Sequence, residues 1–269
     1  MLENKIIGCI GTGNMGSAII SGLSNNIKRE NIYCFDIDRQ KLEGIKTLYN
    51  VNITEDLNIL TDKSDIIILA IKPDVLSQII EKIKKNISDK ILVSIAAGIS
   101  IKSIEDILQT PHKIIRIMPN TPALISEGMA VISPNANVDE KSLLMVKEIF
   151  SLLGRILILP EKLMDAVTAV SGCGPAYGFT LIHAMIEGAV KMGIPRNQAL
   201  ILSAQTILGA AKMVLEADEE PMVLRGKVSS PGGSTIEAVH ILEKAGFSGI
   251  VMDAIEAAKL RSERLGDNN

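Results

Sequence analysis

Apolar residues in the first half of the chain fall into short continuous runs separated by segments of helical spacing. The runs at 5–10, 32–35, 66–70, 91–95 and 114–118 are rich in Ile and too short for helices, so they read as buried strands. Between them, 15–23, 39–48, 75–83 and 101–108 repeat apolar positions three and four apart, as one face of a helix does. Strands that do not alternate in polarity, each followed by a helix, predict a mostly parallel sheet covered on both faces, an α/β fold. Residues 129–132 offer another strand, 139–150 a helix capped by Asp139, and 156–159 a last strand.

Beyond Lys162 the pattern changes. No strand-like run remains, and 175–192, 198–215, 235–245 and 250–265 all carry helical periodicity. Polar residues are sparse on 179–190 and 199–213. Helices apolar nearly all round must be buried in something large. A unit of about 100 residues has little interior for two of them. The pattern therefore predicts two domains, 1–162 and an all-helical 163–269, with a homodimer interface in the second. The tail 266–269 is expected to fray.

Composition narrows the function. The chain has 269 residues, 47% of them apolar, with a formal net charge of −3 and only 3% aromatic residues. Without a basic stripe or stacking platforms, a nucleic-acid partner is not expected. Cys9, Cys34 and Cys173 are scattered and form no metal-ligand spacing, so no metal is expected and a reducing compartment is. His112, His183 and His240 also lack ligand spacing. No signal-peptide pattern opens the chain, and the apolar run at 66–71 is too short to span a bilayer, which together predict a cytoplasmic protein.

Gly11-Thr12-Gly13-Asn14-Met15-Gly16 follows the first strand and opens a helix. In such a turn the first glycine permits the tight bend, the second admits a pyrophosphate to the backbone, and the third lets helix and strand pack closely. Asp36 ends the second strand, where an acidic side chain suits the ribose 2′-hydroxyl of NADH; it equally fits as the N-cap of 37–48. Arg39 stands near enough to receive the 2′-phosphate of NADPH instead. The two pull in opposite directions, and Asp36 tips the reading towards NADH. Ala70-Ile71-Lys72-Pro73 follows the next strand, where Lys72 could meet a phosphate or ribose or simply be solvated. The small residues around Ala96 leave room for a flat nicotinamide ring. Met118-Pro119-Asn120-Thr121-Pro122 makes a stiff loop beyond the following strand.

Near the C-terminus, Val228-Ser229-Ser230-Pro231-Gly232-Gly233-Ser234-Thr235 places hydroxyls and two glycines ahead of a helical segment. Backbone amides there suit an anion; Ser234 or Thr235 could also be a plain cap. A nucleotide cradle together with an anion cradle points to a redox enzyme for a small carboxylate. Taken in order, Gly11–Gly16, Ala70–Pro73, Ser94-Ile95-Ala96-Ala97-Gly98, Arg116–Ala123, Ser171-Gly172-Cys173-Gly174-Pro175-Ala176-Tyr177 and Ser229–Thr235 resemble the pyrroline-5-carboxylate reductase family over essentially the whole chain. The resemblance implies a Rossmann-type doubly wound domain followed by an all-α dimerisation domain, as a dimer or a larger ring of dimers. It implies reduction of 1-pyrroline-5-carboxylate to L-proline with NADPH or NADH. It further implies substrate binding by Ser230, Gly232, Gly233, Ser234 and Thr235, with the Thr235 hydroxyl facing the ring nitrogen, and a nicotinamide beside Met118, Pro119 and Asn120. Cys173 stands where the family often has Ser, and Gly226 where an acidic residue is usual.

Little acid/base chemistry is visible, which fits an imine substrate. Glu187, in an apolar helix, is read as a residue orienting a loop or partner, or as a buried structural acid. Two rivals remain at this stage. A 3-hydroxyacid dehydrogenase would need a Lys in the region 172–178, which has none. A dimeric nucleotide sensor would have no use for the 230–235 loop.

Overall fold

The computed structural model describes residues 2–267. The chain divides into two compact units, Met1–Cys173 with Ala257–Asn269, and Gly174–Glu256. The sequence pattern placed its boundary after Lys162; the first unit instead keeps 163–173 and takes back the end of the chain.

The first unit opens with β1 (Ile7–Ile10), α1 (Asn14–Ser24), β2 (Ile32–Phe35), α2 (Arg39–Tyr49), β3 (Asn52–Ile53) and α3 (Leu57–Lys63). It continues with β4 (Ile66–Leu69), α4 (Pro73–Ile83), β5 (Ile91–Ser94), α5 (Ile101–Leu108) and β6 (Lys113–Met118). It ends with β7 (Gly128–Pro134), α6 (Glu140–Ser151), β8 (Gly154–Ile158) and α7 (Met164–Val167). The strands form one sheet in the order β3-β2-β1-β4-β5-β6-β7-β8. All neighbouring pairs are parallel except β6 with β7. The link from β6 to β7 carries only a 3-10 turn, Thr121–Ile125, and no helix that could cross a face of the sheet. The chain therefore comes straight back antiparallel. α6 is a full crossover, and β8 is parallel to β7 again.

Burial on both faces explains the unbroken apolar strands. Ile7, Cys9, Ile66, Ile68, Ile91, Val93, Ile115 and Ile117 point to one core, which is completed by Ile19 and Leu23 of α1, Ile45 of α2 and Phe150 of α6. The alternate residues Ile10, Ile67, Leu69, Leu92 and Ile114 point to the other, against Leu60 of α3, Leu76 and Ile80 of α4, and Ile104 of α5. Asp139 caps α6 as expected, accepting from the Ser142 amide at 2.7 Å.

The second unit consists of α8 (Gly174–Lys191), α9 (Arg196–Glu216), α10 (Pro221–Lys227), α11 (Ser234–Lys244) and the first ten residues of α12 (Phe247–Asp267). A π-helical turn, Thr168–Gly172, leads into α8. Large apolar side chains stay uncovered on these helices, including Phe179, Ile201, Leu208 and Met252, each more than half exposed. By length and composition alone α9 could also cross a membrane. Glu187 is not a buried acid: it is half-exposed and accepts from the Arg196 guanidinium at 2.8 Å, tying α8 to the first residue of α9. That hydrogen bond, helped by the Arg196 and His183 charges, holds its carboxyl below the ordinary value against the opposing effect of burial. Of the tail expected to fray, Gly266 is helical, and Asn268 and Asn269 lie outside the described residues.

Candidate active site

In the first unit the C-terminal ends of β1, β2, β4, β5 and β6 bring most of the sequence-picked residues to one edge of the sheet. Between β1 and β4 the strand order reverses direction, the place where an open parallel sheet forms a crevice. Gly11 turns the chain out of β1 with a φ of 99°, which side-chain-bearing residues rarely adopt; a Cβ here would stand 2.3 Å from the Ala70 carbonyl oxygen. On Gly16 a Cβ would stand 2.1 Å from the Gly11 carbonyl oxygen, so α1 can approach β1 only without one. Gly13 differs: a Cβ there would meet no protein atom within 4 Å. It is also the N-cap of α1, and no side chain caps that helix end. The amides of Asn14, Met15 and Gly16 are left for an anion, at the positive end of the helix dipole. This is an arrangement that a pyrophosphate fits.

Asp36 proves not to be a helix cap. Asp38 caps α2, accepting from the Gln40 and Lys41 amides. Asp36 instead locks the glycine turn: its Oδ2 accepts from the Thr12 amide at 2.7 Å and the Thr12 hydroxyl at 2.8 Å, and its Oδ1 from the Asp38 amide at 2.9 Å. Thr12 is thus buried and held from the side. Arg39 is exposed, with its Nε 3.4 Å from Glu55 Oε1. Lys72 is exposed and precedes Pro73, the first residue of α4.

On the other side of the crevice Ala96 is buried in the second core, so its side chain is not the part that faces a ligand; Ala97 beside it is exposed. Pro119 is buried, and Asn120 is fully engaged in holding the chain. Its Oδ1 accepts from the Met129 amide at 2.8 Å, and its Nδ2 donates to the Ser171 carbonyl at 3.1 Å. Met118 packs close to Gly172, where a Cβ would meet its methyl carbon at 2.5 Å. Asn120 therefore stitches the end of β6 to β7 and to the π-helical turn, a positioning role that the sequence did not show.

Ser230, Gly232 and Gly233 lie in the second unit, in the loop from α10 to α11, and Ser234 and Thr235 are the first two residues of α11. Gly232 has a φ of 67° and Gly233 is the N-cap of α11, with no side-chain cap. Neither Ser234 nor Thr235 caps the helix, which removes the N-cap reading of their hydroxyls. The Gly233 amide closes the turn onto the Ser230 carbonyl at 3.0 Å. A Cβ on Gly233 would lie 2.3 Å from the Ser230 hydroxyl oxygen. The turn thus presents the first amides of α11 to an anion.

Cys9 and Cys34 do not compete for a catalytic role. Cys9 and Cys34 are adjacent in register and fully buried. Burial, reinforced by the Asp36 charge, pushes the Cys9 thiol up to about 12, and burial also raises Cys34. Such thiols are inert.

Comparison with known proteins gives this geometry a family. A family model for pyrroline-5-carboxylate reductase dimerisation matches residues 161–265. One described as NADP oxidoreductase, coenzyme F420-dependent, matches residues 6–98. A pyrroline-5-carboxylate reductase of Methanosarcina acetivorans is 42% identical over 268 residues, covering 98% of this chain and 99% of that one. This chain belongs to the pyrroline-5-carboxylate reductase family. The Escherichia coli pyrroline-5-carboxylate reductase is 39% identical over 97% of this chain and 98% of its own. The crystal structure of a Plasmodium falciparum pyrroline carboxylate reductase with NADP bound superposes with a TM-score of 0.89, at 37% identity, covering 98% of this chain and 99% of that chain. The reductase is an oxidoreductase with a nicotinamide coenzyme, a Rossmann-type sheet and a helical dimerisation region. The uncovered apolar helices of the second unit lie within the region matched to dimerisation.

Proposed function

We propose that the chain reduces the C=N bond of 1-pyrroline-5-carboxylate to give L-proline. The observation that carries this reading is the uncapped, glycine-built start of α11 at Gly232–Thr235, alongside family membership. When bound, the dihydronicotinamide supplies the hydride. The chain's own residues have four tasks. Gly11, Gly13 and the amides of Asn14, Met15 and Gly16 hold the pyrophosphate, with Ala70, Lys72 and Pro73 along the adenosine side. Ala96, Met118, Pro119 and Asn120 form the wall that sets the nicotinamide face, chiefly through main chain. The amides following Gly233, with the Ser230 and Ser234 hydroxyls, grip the substrate carboxylate. The Thr235 hydroxyl, half-buried one residue into α11, hydrogen-bonds the ring nitrogen and orients it. None of these groups is a strong acid or base. The assignment fits an imine, whose protonated form needs positioning and exclusion of water more than proton transfer.

The coenzyme reading leans to NADH. Three of the roughly four acceptor positions of the Asp36 carboxylate are taken by Thr12 and Asp38, leaving one for a ribose hydroxyl and a fixed negative charge facing any 2′-phosphate. Arg39, the cation that would favour NADPH, is already beside Glu55. The NADP in the Plasmodium falciparum structure favours the second reading, NADPH. A homodimer formed through the second unit and a cytoplasmic location complete the proposal. Coenzyme oxidation followed with 1-pyrroline-5-carboxylate, with NADH and NADPH in parallel, tests it. Turnover of the imine is expected, and turnover of hydroxyacids alone, or of neither substrate class, would overturn it.

A further inference from the structure

We propose that the last turn of α12 is a positioning element for the loop between β5 and α5, and so for the nicotinamide end of the coenzyme. The proposal rests on the reading that this loop walls the nicotinamide. Four observations place the parts, all within the first unit.

The main chains of Gly98 and Gly266 cross at close range. A Cβ on Gly266 would stand 2.9 Å from the Gly98 carbonyl oxygen, and one on Gly98 would stand 3.4 Å from the Gly266 nitrogen and 3.5 Å from the Leu265 carbonyl carbon. Gly98 has a φ of 76°, so the loop turns there in a conformation that a side chain would strain. One turn earlier on α12, the buried Ser262 donates its hydroxyl to Asp165 Oδ1 at 2.7 Å. Beyond the loop, the amide of Ile101, the first residue of α5, donates to Glu161 Oε1 at 2.6 Å. The same oxygen accepts from the buried Arg116 guanidinium of β6 at 3.1 Å.

Glu161 and Asp165 sit four residues apart in one short helical segment, the 3-10 turn Glu161–Leu163 running into α7. That segment works as a bracket with two carboxylates. Glu161 fixes where α5 begins, and Asp165 fixes α12 so that Gly266 presses on Gly98. A glycine-bearing loop left to itself would sample several positions. Held from both ends, it keeps one. Hydride transfer needs such accuracy, since a misplacement of about 1 Å costs on the order of a hundredfold in rate. The pyrophosphate is gripped elsewhere, at α1, so the effect of losing the clamp should fall on one end of the coenzyme only.

Gly266→Ala in the full chain puts a methyl group against the Gly98 carbonyl. Turnover is read as kcat at saturating coenzyme. Affinity is read for NAD(P)H and for the ADP-ribose fragment that lacks the nicotinamide, carrying the 2′-phosphate where NADPH is the better coenzyme. We expect kcat to fall at least about tenfold. NAD(P)H affinity should fall several-fold, and fragment affinity should stay within about twofold. Ser262→Ala should act in the same direction by about fivefold, the equivalent of one hydrogen bond. Ser262→Thr, which keeps the hydroxyl, should restore the rate. An unchanged kcat in folded Gly266→Ala overturns the proposal, as does a loss of fragment affinity that parallels the loss of NAD(P)H affinity. Should Gly266→Ala not fold, the Ser262 pair decides by the same criteria. The wild-type assay with the imine tests the parent reading separately. Even if that substrate fails, the gap between NAD(P)H and fragment affinity still reports whether the clamp acts on the nicotinamide end.

Discussion

Replacing Gly16 and Gly13 one at a time by Ala separates strain from ligand exclusion in the coenzyme loop. At Gly16 the new Cβ would lie 2.1 Å from the Gly11 carbonyl oxygen. An ordinary carbon–oxygen contact is about 3.3 Å, so the start of α1 must move away from β1 by roughly 1.2 Å. Overpacking of this kind costs about 1–3 kcal/mol. The better helix propensity of Ala returns up to about 1 kcal/mol. The net, about 0–3 kcal/mol, leaves the protein folded and lowers Tm by at most about ten degrees. A shift of about 1 Å, however, carries the Asn14–Gly16 amides out of hydrogen-bond range of a pyrophosphate. Two charge-assisted bonds lost at about 1.5–3 kcal/mol each should raise the coenzyme Kd at least a hundredfold. At Gly13 the Cβ would meet no protein atom within 4 Å, and the backbone, at φ −66°, already suits Ala. Gly13→Ala should therefore leave Tm unchanged while still weakening the coenzyme, because the methyl occupies the approach of the pyrophosphate. NAD(P)H fluorescence titration and thermal unfolding on the same samples measure both effects. A Gly13→Ala protein that binds coenzyme as tightly as wild type would refute the assignment of this loop.

Three further outcomes are expected. Thr235→Ala should keep the wild-type Tm, because Thr235 caps nothing, and lose about 100–1000-fold in kcat/KM for the imine, as loss of one positioned donor does; an unchanged value would remove Thr235 from the mechanism. Asp36→Ser should shift the kcat/KM ratio towards NADPH, and Glu55→Gln should add a smaller shift in the same direction by freeing Arg39, of the few-fold size that an exposed ion pair allows; a ratio that ignores both substitutions would deny these residues a part in coenzyme choice. Burial pushes the Asp65 carboxyl up, but the Lys5 hydrogen bond, the Ile6 amide and the nearby Lys charges outweigh it and hold the group below its ordinary value. Its contribution, discounted for exposure to about 1 kcal/mol or less, is complete above about pH 4 and disappears as the pH falls through the lowered value. Urea unfolding of wild type and Asp65→Asn should therefore show a gap at pH 7 that closes in acid, and a gap that widens in acid would reverse the sign of the argument.

The central strands were legible because each is buried on two faces and so shows an unbroken apolar run, as in Ile66–Leu69. The edge pair β3 and α3 was not, since two residues have no periodicity and α3 sinks only Leu60 and Thr61. α10 was missed for a similar reason: none of its residues is buried, so no apolar face marks it. The glycine loop could be read from spacing, but the choice between Asp36 and Asp38 as the cap of α2 could not. The two carboxylates stand two residues apart, and only the position of the Thr12 amide across the turn separates their roles. Asn120 looked like a loop residue because its partners, Met129 and Ser171, are distant in sequence. The return of α12 to Gly98 was hidden for the same reason. For Glu187 the apolar helix left both an orienting residue and a buried acid open; that apolar surface is uncovered within the single chain, which removes the buried acid.

The most direct test of the whole account is a crystal structure with coenzyme and L-proline bound together. The account predicts the amino-acid carboxylate on the amides following Gly233, its ring nitrogen within hydrogen-bond reach of the Thr235 hydroxyl, and the nicotinamide against the 96–98 and 118–120 segments. Proline bound away from residues 230–235, or a coenzyme that leaves the Gly11–Gly16 turn untouched, would contradict it.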